Sequence, residues 1–401
     1  MNKSILKTLI LALGATTLAG ALIKFPQQAL EASIRGLNMW WEIVFPSLLP
    51  FFILSEMLIS FGVVTFIGVL LEPLMRPLFK VPGVGGFIWA MGMASGYPSG
   101  AKLTARLRKE KQLTKIEAER LVSFTNSSNP LFIFGAVSIG FFQNPTLGIV
   151  LAIAHHFGNL LVGLIMRFYG KDSVKVEKVK VKSIKQALQE LHRTRIKEKR
   201  PFGKMLGDAV LSSIETLLLI GGFIILFSVI NKLLFIMNIT DFLAYGLGIF
   251  LSVIHIPSEF SIPLMSGMFE ITLGSQMTSG VQNVSLLQQA IVTSFILAFS
   301  GISVQAQVAS ILAQTDIHFA PFFFARIMHG CFASLITLLI WKPVYERIKI
   351  NEHPSNALPV SVFDGTDWFS QIITTLSILG PFITILSLFI YISIYFKRTY
   401  K

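Results

Sequence analysis

Two short runs in an otherwise apolar sequence carry the residue types that bind a small polar molecule. Thr125-Asn126-Ser127-Ser128-Asn129-Pro130 sets five hydrogen-bonding side chains before a proline. Ser95-Gly96-Tyr97-Pro98-Ser99-Gly100 cannot continue a helix, because Pro98 has no amide hydrogen and two glycines loosen the backbone. Backbone left unpaired at membrane depth must be satisfied by protein or by a wet cavity. A helix that restarts after such a break aims free amides and a positive dipole end into that cavity, which suits an anion. Later in the chain, 266–280 (Ser266, Glu270, Gln276, Thr278, Ser279) and 300–307 (Ser300, Ser303, Gln305) supply matching groups. The candidate substrate-binding residues are therefore Ser95, Gly96, Ser99, Lys102, Thr125, Asn126, Ser127, Asn129, Ser266, Gln276, Ser300, Ser303, Gln305 and Arg326. Serine and glycine also let membrane helices pack closely. That explains a single residue well and the clusters at 125–130 and 300–307 poorly, since so much polarity is costly without a function.

The breaks recur. Glu42 and Glu215 lie 173 positions apart, Ser95-Gly96 and Ser266-Gly267 lie 171 apart, Asn126 and Ser300 lie 174 apart, and His156 and His329 lie 173 apart. Four landmarks in the same order at nearly one offset predict an internal duplication. Duplicated halves with interrupted apolar segments point to a transporter binding site at the repeat interface.

Charge inside apolar segments is expensive and usually functional. Glu42, Glu215, Glu270 and Arg326 fall in or near such segments. Glu42 also stands beside Trp40 and Trp41, as an interfacial residue would, and Arg326 is long enough to snorkel. Lys102 and Arg106 follow the first break and would form a cationic mouth there, or serve as ordinary loop charge. His155 and His156 precede Gly158-Asn159, and His329 precedes Gly330, with no carboxylate at metal-ligand spacing, so packing or hydrogen bonding to a broken helix is expected. No metal, cofactor or catalytic group is expected: phosphate-cradling loops, nucleophile elbows and His-Glu-x-x-His pairs are all missing. An intramembrane hydrolase built on His156, a glutamate or a serine stays open as an alternative. Glu42, Glu215 or Glu270 could carry a coupling proton, and a half-helix carbonyl cage could hold sodium.

The elements that must position these groups are membrane helices. Of 401 residues 53% are hydrophobic and 14% charged, against about a quarter charged in a soluble domain. The net charge of +13 sits in loops between apolar blocks, where cytoplasmic retention explains it better than nucleic-acid binding. The basic loops 102–120 and 171–204, the latter with twelve lysines and arginines, should face the cytoplasm, joined by two full spans and a tight turn at 143–145. A cytoplasmic loop at 342–367 would put the tail outside, against that trend. Apolar runs at 63–71 and 84–93 are too short to cross and read as re-entrant or interfacial. Within the longer basic loop, 184–191 suits a short helix on the membrane surface or, as the favoured reading, a solvated charged one. The N-terminal run behind Lys3 and Lys7 has the pattern of a signal peptide, but the many later spans favour an uncleaved helix. A lone Cys331 excludes an intrachain disulfide. The plan is an N-terminal transmembrane helix and connector at 1–36, a first membrane repeat at 37–168, a basic cytoplasmic loop at 169–204, a second repeat at 205–342, and a polar loop with a C-terminal transmembrane helix at 343–401.

Several motifs carry a resemblance. The run from Glu31-Ala32-Ser33-Ile34-Arg35-Gly36 through Phe45-Pro46-Ser47-Leu48-Leu49-Pro50, with Met91-Gly92-Met93-Ala94-Ser95-Gly96-Tyr97-Pro98 and Phe124-Thr125-Asn126-Ser127-Ser128-Asn129-Pro130, resembles a family of sporulation integral membrane proteins of endospore-forming bacilli. That family is grouped with the nucleoside-recognition Gate domains and is similar to concentrative nucleoside transporters. The resemblance implies a multi-pass protein of the mother-cell-derived outer forespore membrane that moves dipicolinate toward the spore. A flat aromatic dianion suits helix N-termini, Asn and Ser donors and one or two cations, whereas a nucleoside would use the same breaks without Lys102 or Arg326. The expectation is an all-α polytopic membrane protein with two related, inverted repeats and re-entrant or broken helices. Its partners would be a small organic anion, the lipid bilayer and a coupling ion, with no nucleic acid. A membrane scaffold that carries nothing is the alternative.

Overall fold

The computed structural model describes residues 3–170 and 183–348, with short helical pieces at 379–380 and 384–387. The chain divides into two units, Met1–Lys349 and Ile350–Lys401, and the first contains both repeats. Most of the last apolar run, 372–396, lies outside the described residues.

Every regular element among the described residues is helical. The chain opens with α1 (Lys3–Lys24) and bends by 102° into α2 (Pro26–Met39), which continues through a π-helical stretch Trp40–Val44 into α3 (Phe45–Ser60). There follow α4 (Val63–Phe79), α5 (Val84–Ser95), α6 (Ser99–Lys109), α7 (Lys115–Thr125), a π-helical stretch Leu131–Phe141 and α8 (Pro145–Met166). After α9 (Ile184–Lys197) come α10 (Phe202–Ile236), α11 (Ile239–Val253), α12 (Ser261–Phe269), α13 (Ile271–Ser279), α14 (Leu286–Phe299), α15 (Gly301–Leu312) and α16 (Phe319–Ile340), which runs on as a π-helical stretch Trp341–Glu346.

The halves correspond element by element. The rod made by residues 26–60 matches α10, which begins 176 positions later, and α8 and α16, each 22 residues long, begin 174 apart. These helix ends correct the sequence register. At 174 the partner of His329 is His155 rather than His156, and the partner of Gly96 is Glu270 rather than Gly267. Apolar sequence matches itself at several neighbouring offsets, so only the helix ends fix the alignment. The first rod also begins at Pro26, well before the apolar run at Met39. Proline at the first helical position marks that start.

Helix lengths limit which elements can cross. The chain turns by 81° between α3 and α4, and 17 residues of helix reach only about 25 Å against a hydrocarbon core of about 30 Å. The α5–α6 and α12–α13 hairpins have arms of 9 to 12 residues and dip in and return. By length and composition, Pro145–Met166, Phe202–Ile236, Leu286–Leu312 and Phe319–Glu346 are each long and apolar enough to cross, and the spans among the described residues number up to six if each bent pair crosses as one.

The two rods pack on small residues, which lets backbones approach where lipid offers no hydrophobic drive. Ala29, Ala32 and Gly36 are buried, and a Cβ on Gly36 would lie 3.0 Å from Ile225 Cα. Trp40 Nε1 donates to the Leu217 carbonyl at 2.8 Å, with Gly221 directly beneath its ring, and Ser228 Oγ donates to the Ala32 carbonyl at 2.8 Å. At the loop end of α6, Arg108 grips Asp316 with two bonds of 2.8 and 2.7 Å and holds that carboxyl below the usual carboxylate range. Fully buried Arg120 donates to the carbonyls of Tyr169 and Lys80, joining the ends of α8 and α4.

A methyl group at Gly221 would sit 2.6 Å from the Trp40 ring, whereas at Gly222 it would meet open space. Gly221→Ala is expected to cost about 1–3 kcal/mol by overpacking. Thermal unfolding in detergent should show a lower midpoint for Gly221→Ala and an unchanged one for Gly222→Ala.

Candidate functional site

The first break runs from Asn126 to Pro130 between α7 and the restart at Leu131. Its exposed backbone is met by side chains from α8 and α16. Arg326 of α16 donates to the carbonyls of Asn126 (2.8 Å) and Ser123, and to Asn159 Oδ1 at 3.1 Å. Asn159 of α8 in turn donates to the Phe124 carbonyl at 2.6 Å. A fixed cation at the carbonyl end of α7 also complements that helix's dipole. On the other side of the break, Ser128 N donates to His155 Nε2 at 2.9 Å, which places the His155 proton on Nδ1. His329 completes the cluster: Nε2 lies 2.7 Å from the His155 carbonyl, Nδ1 lies 3.1 Å from Arg326, and the two imidazole rings are 4.7 Å apart.

The α5–α6 hairpin closes against this break. Gly96 takes φ +86°, and a Cβ there would press on Asn129 at 3.1 Å, so the turn requires glycine. Ser95 Oγ donates to Ser99 Oγ at 2.6 Å, and Ser99 Oγ donates to the Gly96 carbonyl. Ser127 Oγ reaches the Gly92 carbonyl at 3.2 Å. Asn129 serves both elements: Nδ2 donates to the Ser95 carbonyl at 3.1 Å, and Oδ1 accepts from Phe132 N at 2.8 Å, capping the restarting helix.

The second half solves the same problem differently. The α12–α13 hairpin turns at Glu270, whose carboxylate accepts from Thr272 N (2.9 Å) and Leu273 N (2.8 Å). The second break is a two-residue left-handed step, Ser300 at φ 69° and Gly301 at φ 61°. Tyr97, from the first hairpin's tip, donates to the Leu297 carbonyl at 2.7 Å, and Gln305 Nε2 donates to the Phe299 carbonyl at 3.1 Å.

Both hairpin tips, the first break and the helix that follows the second border one cavity of about 1000 Å³. Its polar lining comes from Ser95, Tyr97, Ser128, Asn129, Thr272, Gln276, Ser303 and Gln307, its charges from Arg35, Glu42 and Glu270, and part of its apolar wall from Phe132, Phe141 and Ile224. Among the sequence candidates, Ser95, Gly96, Asn129, Gln276 and Ser303 line it. Ser99, Thr125, Asn126, Ser127, Ser266, Ser300 and Gln305 are buried outside its lining. Ser99, Ser127 and Gln305 bond to carbonyls of the hairpin and the breaks, whereas the Asn126 side-chain amide and the Ser300 hydroxyl have no hydrogen-bond partner among the described residues.

The two candidate cations point elsewhere. Arg326 is fully buried and directed at carbonyls, because a buried guanidinium needs several acceptors. Lys102 turns away from the tip toward α3 and α10. Its ammonium lies 4.5 Å over the Phe52 ring, 3.9 Å from Glu56 and 3.5 Å from the Ser212 carbonyl. Arg106 joins it 3.3 Å from the same Glu56, so the cationic mouth is an internal ion cluster.

The cavity also contains groups outside the candidate set. Gln307 was legible in principle: 303 and 307 share a helix face and 305 lies on the opposite one. Arg35 looks in sequence like a charge flanking the membrane, and only the early start of the rod brings it to the cavity. Glu270 stood out as a charge but not as a turn, because Ser266-Gly267 mimics the first hairpin's tip three residues too early. Among the described residues no group of three or more His, Cys, Asp or Glu could hold a metal ion.

Comparison with known proteins places the chain at the level of family. The Gate model, described as nucleoside recognition, matches residues 41–144, which hold most of the first repeat. A solved structure of a double variant of CNTnw in an outward-facing state aligns with 81% of this chain and 87% of its own at 13% identity and a TM-score of 0.39. The "Sporulation integral membrane protein YlbJ" of Bacillus subtilis (strain 168) is 55% identical over 408 residues, covering 99% of this chain and 98% of that protein. At that identity and coverage, the chain belongs to the YlbJ family of sporulation integral membrane proteins.

Proposed function

We propose that the protein is a transporter that binds a small polar organic solute in the cavity between the two hairpin tips. The observation that carries this reading is the convergence of corresponding pieces of both halves on a single space of about 1000 Å³. Small-molecule sites of roughly that size combine apolar walls with a few fixed polar groups. Inverted halves that meet at broken helices are the arrangement through which secondary transporters expose one site alternately to either side. No bond-breaking step is needed, and the protein acts as a carrier rather than an enzyme.

The solute we favour is dipicolinate, moved from mother cell toward forespore across the outer forespore membrane. Arg35 is then the cation that meets a carboxylate, Asn129, Gln276 and Gln307 offer amide donors, and Phe132 and Tyr97 flank a flat ring. Glu42 and Glu270 oppose a dianion, so the solute would enter with part of its charge offset by a proton or a coupling cation. The same two carboxylates favour a second reading, an uncharged nucleoside whose hydroxyls donate to them.

Uptake of labelled solutes into proteoliposomes tests the proposal. If neither dipicolinate nor a nucleoside enters under an imposed proton or sodium gradient, the protein is not a carrier, and a scaffold role takes its place. The sign of two charge changes separates the solutes. With dipicolinate, Glu42→Gln should tighten binding and Arg35→Gln should weaken it, each by roughly fivefold for a partly solvated charge near 4 Å. With a nucleoside, Glu42→Gln should weaken binding and Arg35→Gln should leave it nearly unchanged.

Asn129→Ala removes the bond to Ser95 and the cap on Phe132, which lowers stability, and also an amide donor facing the cavity, and is expected to weaken binding of either solute by about fivefold, at about 1 kcal/mol for the one solute bond lost. Binding equal to wild type, measured by calorimetry on the purified protein, would remove Asn129 from the site.

A further inference from the structure

The α9 helix belongs to neither repeat and takes no part in the cavity. It is 14 residues long, about 21 Å, and is closed at its start by a reciprocal pair in which Ser183 and Gln186 cap each other. One face is docked on α4. Ala187 is fully buried, Thr194 Oγ1 meets Thr65 Oγ1 at 3.4 Å, and a Cβ on Gly62 would lie 2.7 Å from the Leu191 carbonyl.

A neighbouring face has no protein cover among the described residues. Ile184, Leu188 and Ile196 recur along one arc of the helix and are 65, 51 and 62% exposed. Lys185, His192 and Arg195 share that arc, Arg193 and Lys197 flank its polar side, and Glu190, the helix's single acid, pairs with Arg193 at 3.4 Å. The α4 helix beneath carries a stripe of its own, Leu70, Leu74 and Leu78, at 40, 47 and 36% exposure. Two packed helices, both too short to span, have exposed aliphatic stripes, and the sequence flanking α9 is rich in lysine and arginine. That combination of an apolar arc bordered by cations fits an anionic lipid surface, with the side chains in the acyl boundary and the ammonium and guanidinium groups among phosphates.

We infer that α9 is an in-plane anchor that seats the Ile184, Leu188 and Ile196 arc in the anionic leaflet of the host bilayer. The occupant is lipid carrying net negative charge, and α4 positions α9 at the depth where the arc meets it. Each cation held near such a surface strengthens the association by about fivefold. This inference is independent of what the cavity carries.

The test uses full-length protein in vesicles. With Cys331→Ser to remove the native thiol, an environment-sensitive fluorophore is placed at Leu188→Cys and, separately, at Arg193→Cys on the polar side. In vesicles containing phosphatidylglycerol, the label at 188 should shift to the blue and be quenched by lipids bearing a shallow spin label, and the label at 193 should do neither. Replacing Lys185, Arg193 and Lys197 with glutamine, or using phosphatidylcholine alone, should reverse the effect at 188. Equal behaviour at 188 and 193 would overturn the inference and leave the arc for a protein partner. A shift at 188 that is the same in phosphatidylcholine would overturn the requirement for anionic lipid. If a labelled protein loses its fold, shown by its melting curve, labels at Ile196→Cys and Lys197→Cys make the same comparison about two turns further along, with the same two outcomes expected and excluded.

Discussion

Backbone polar groups cannot be left unpaired in lipid, and this constraint governs the whole molecule. A broken helix exposes carbonyls at the end of one segment and amides at the start of the next. Here several such groups are met by side chains: Arg326 and Asn159 for the end of α7, His155 for Ser128, Asn129 for the restart at Leu131, and Tyr97 for Leu297. The two restarts differ: the helix at Leu131 is capped by Asn129, whereas α15 begins with no side-chain cap. At the second hairpin, the carboxylate of Glu270 occupies the first amides of α13. The start of α13 is therefore closed to an incoming anion, which leaves Arg35, neutral donors and the uncapped start of α15.

The same constraint interlocks the two halves. Arg326 of the second half closes the break of the first, and Tyr97 of the first half closes a carbonyl of the second, each across 200 residues of chain. Neither break is complete without the other repeat. A buried guanidinium left without acceptors costs several kcal/mol. Disturbing the contact between α7 and α16 is therefore expected to affect the stability of the bundle as well as the cavity.

The sequence was informative where polarity interrupts apolar runs, because lipid makes such interruptions expensive and hence conspicuous. The runs at 95–100 and 125–130 are turns at the cavity in the structure, and the duplication appears as two matched sets of helices. Register and direction were less legible. Apolar segments align with themselves at several offsets, so His156 stood for His155 and Gly267 for Glu270. Burial of a charge can be guessed from its neighbours, but where a long side chain ends cannot: Arg326 and Lys102 both sit near the breaks, and both turn toward protein acceptors. Glu56, the carboxylate that receives Lys102 and Arg106, drew no notice as a lone acid in an apolar helix.

The central claim is that one face of the broken helix α15 borders a water-filled, solute-binding cavity while the opposite face is sealed in protein. With Cys331→Ser as background, Ser303→Cys and Gln305→Cys place a thiol on the two faces, two residues apart. The account predicts that a membrane-impermeant thiol reagent modifies 303 in proteoliposomes, that the transported solute slows this modification, and that 305 stays unmodified. Modification of 305 with 303 inert, or of 303 at a rate indifferent to every solute tried, would contradict it.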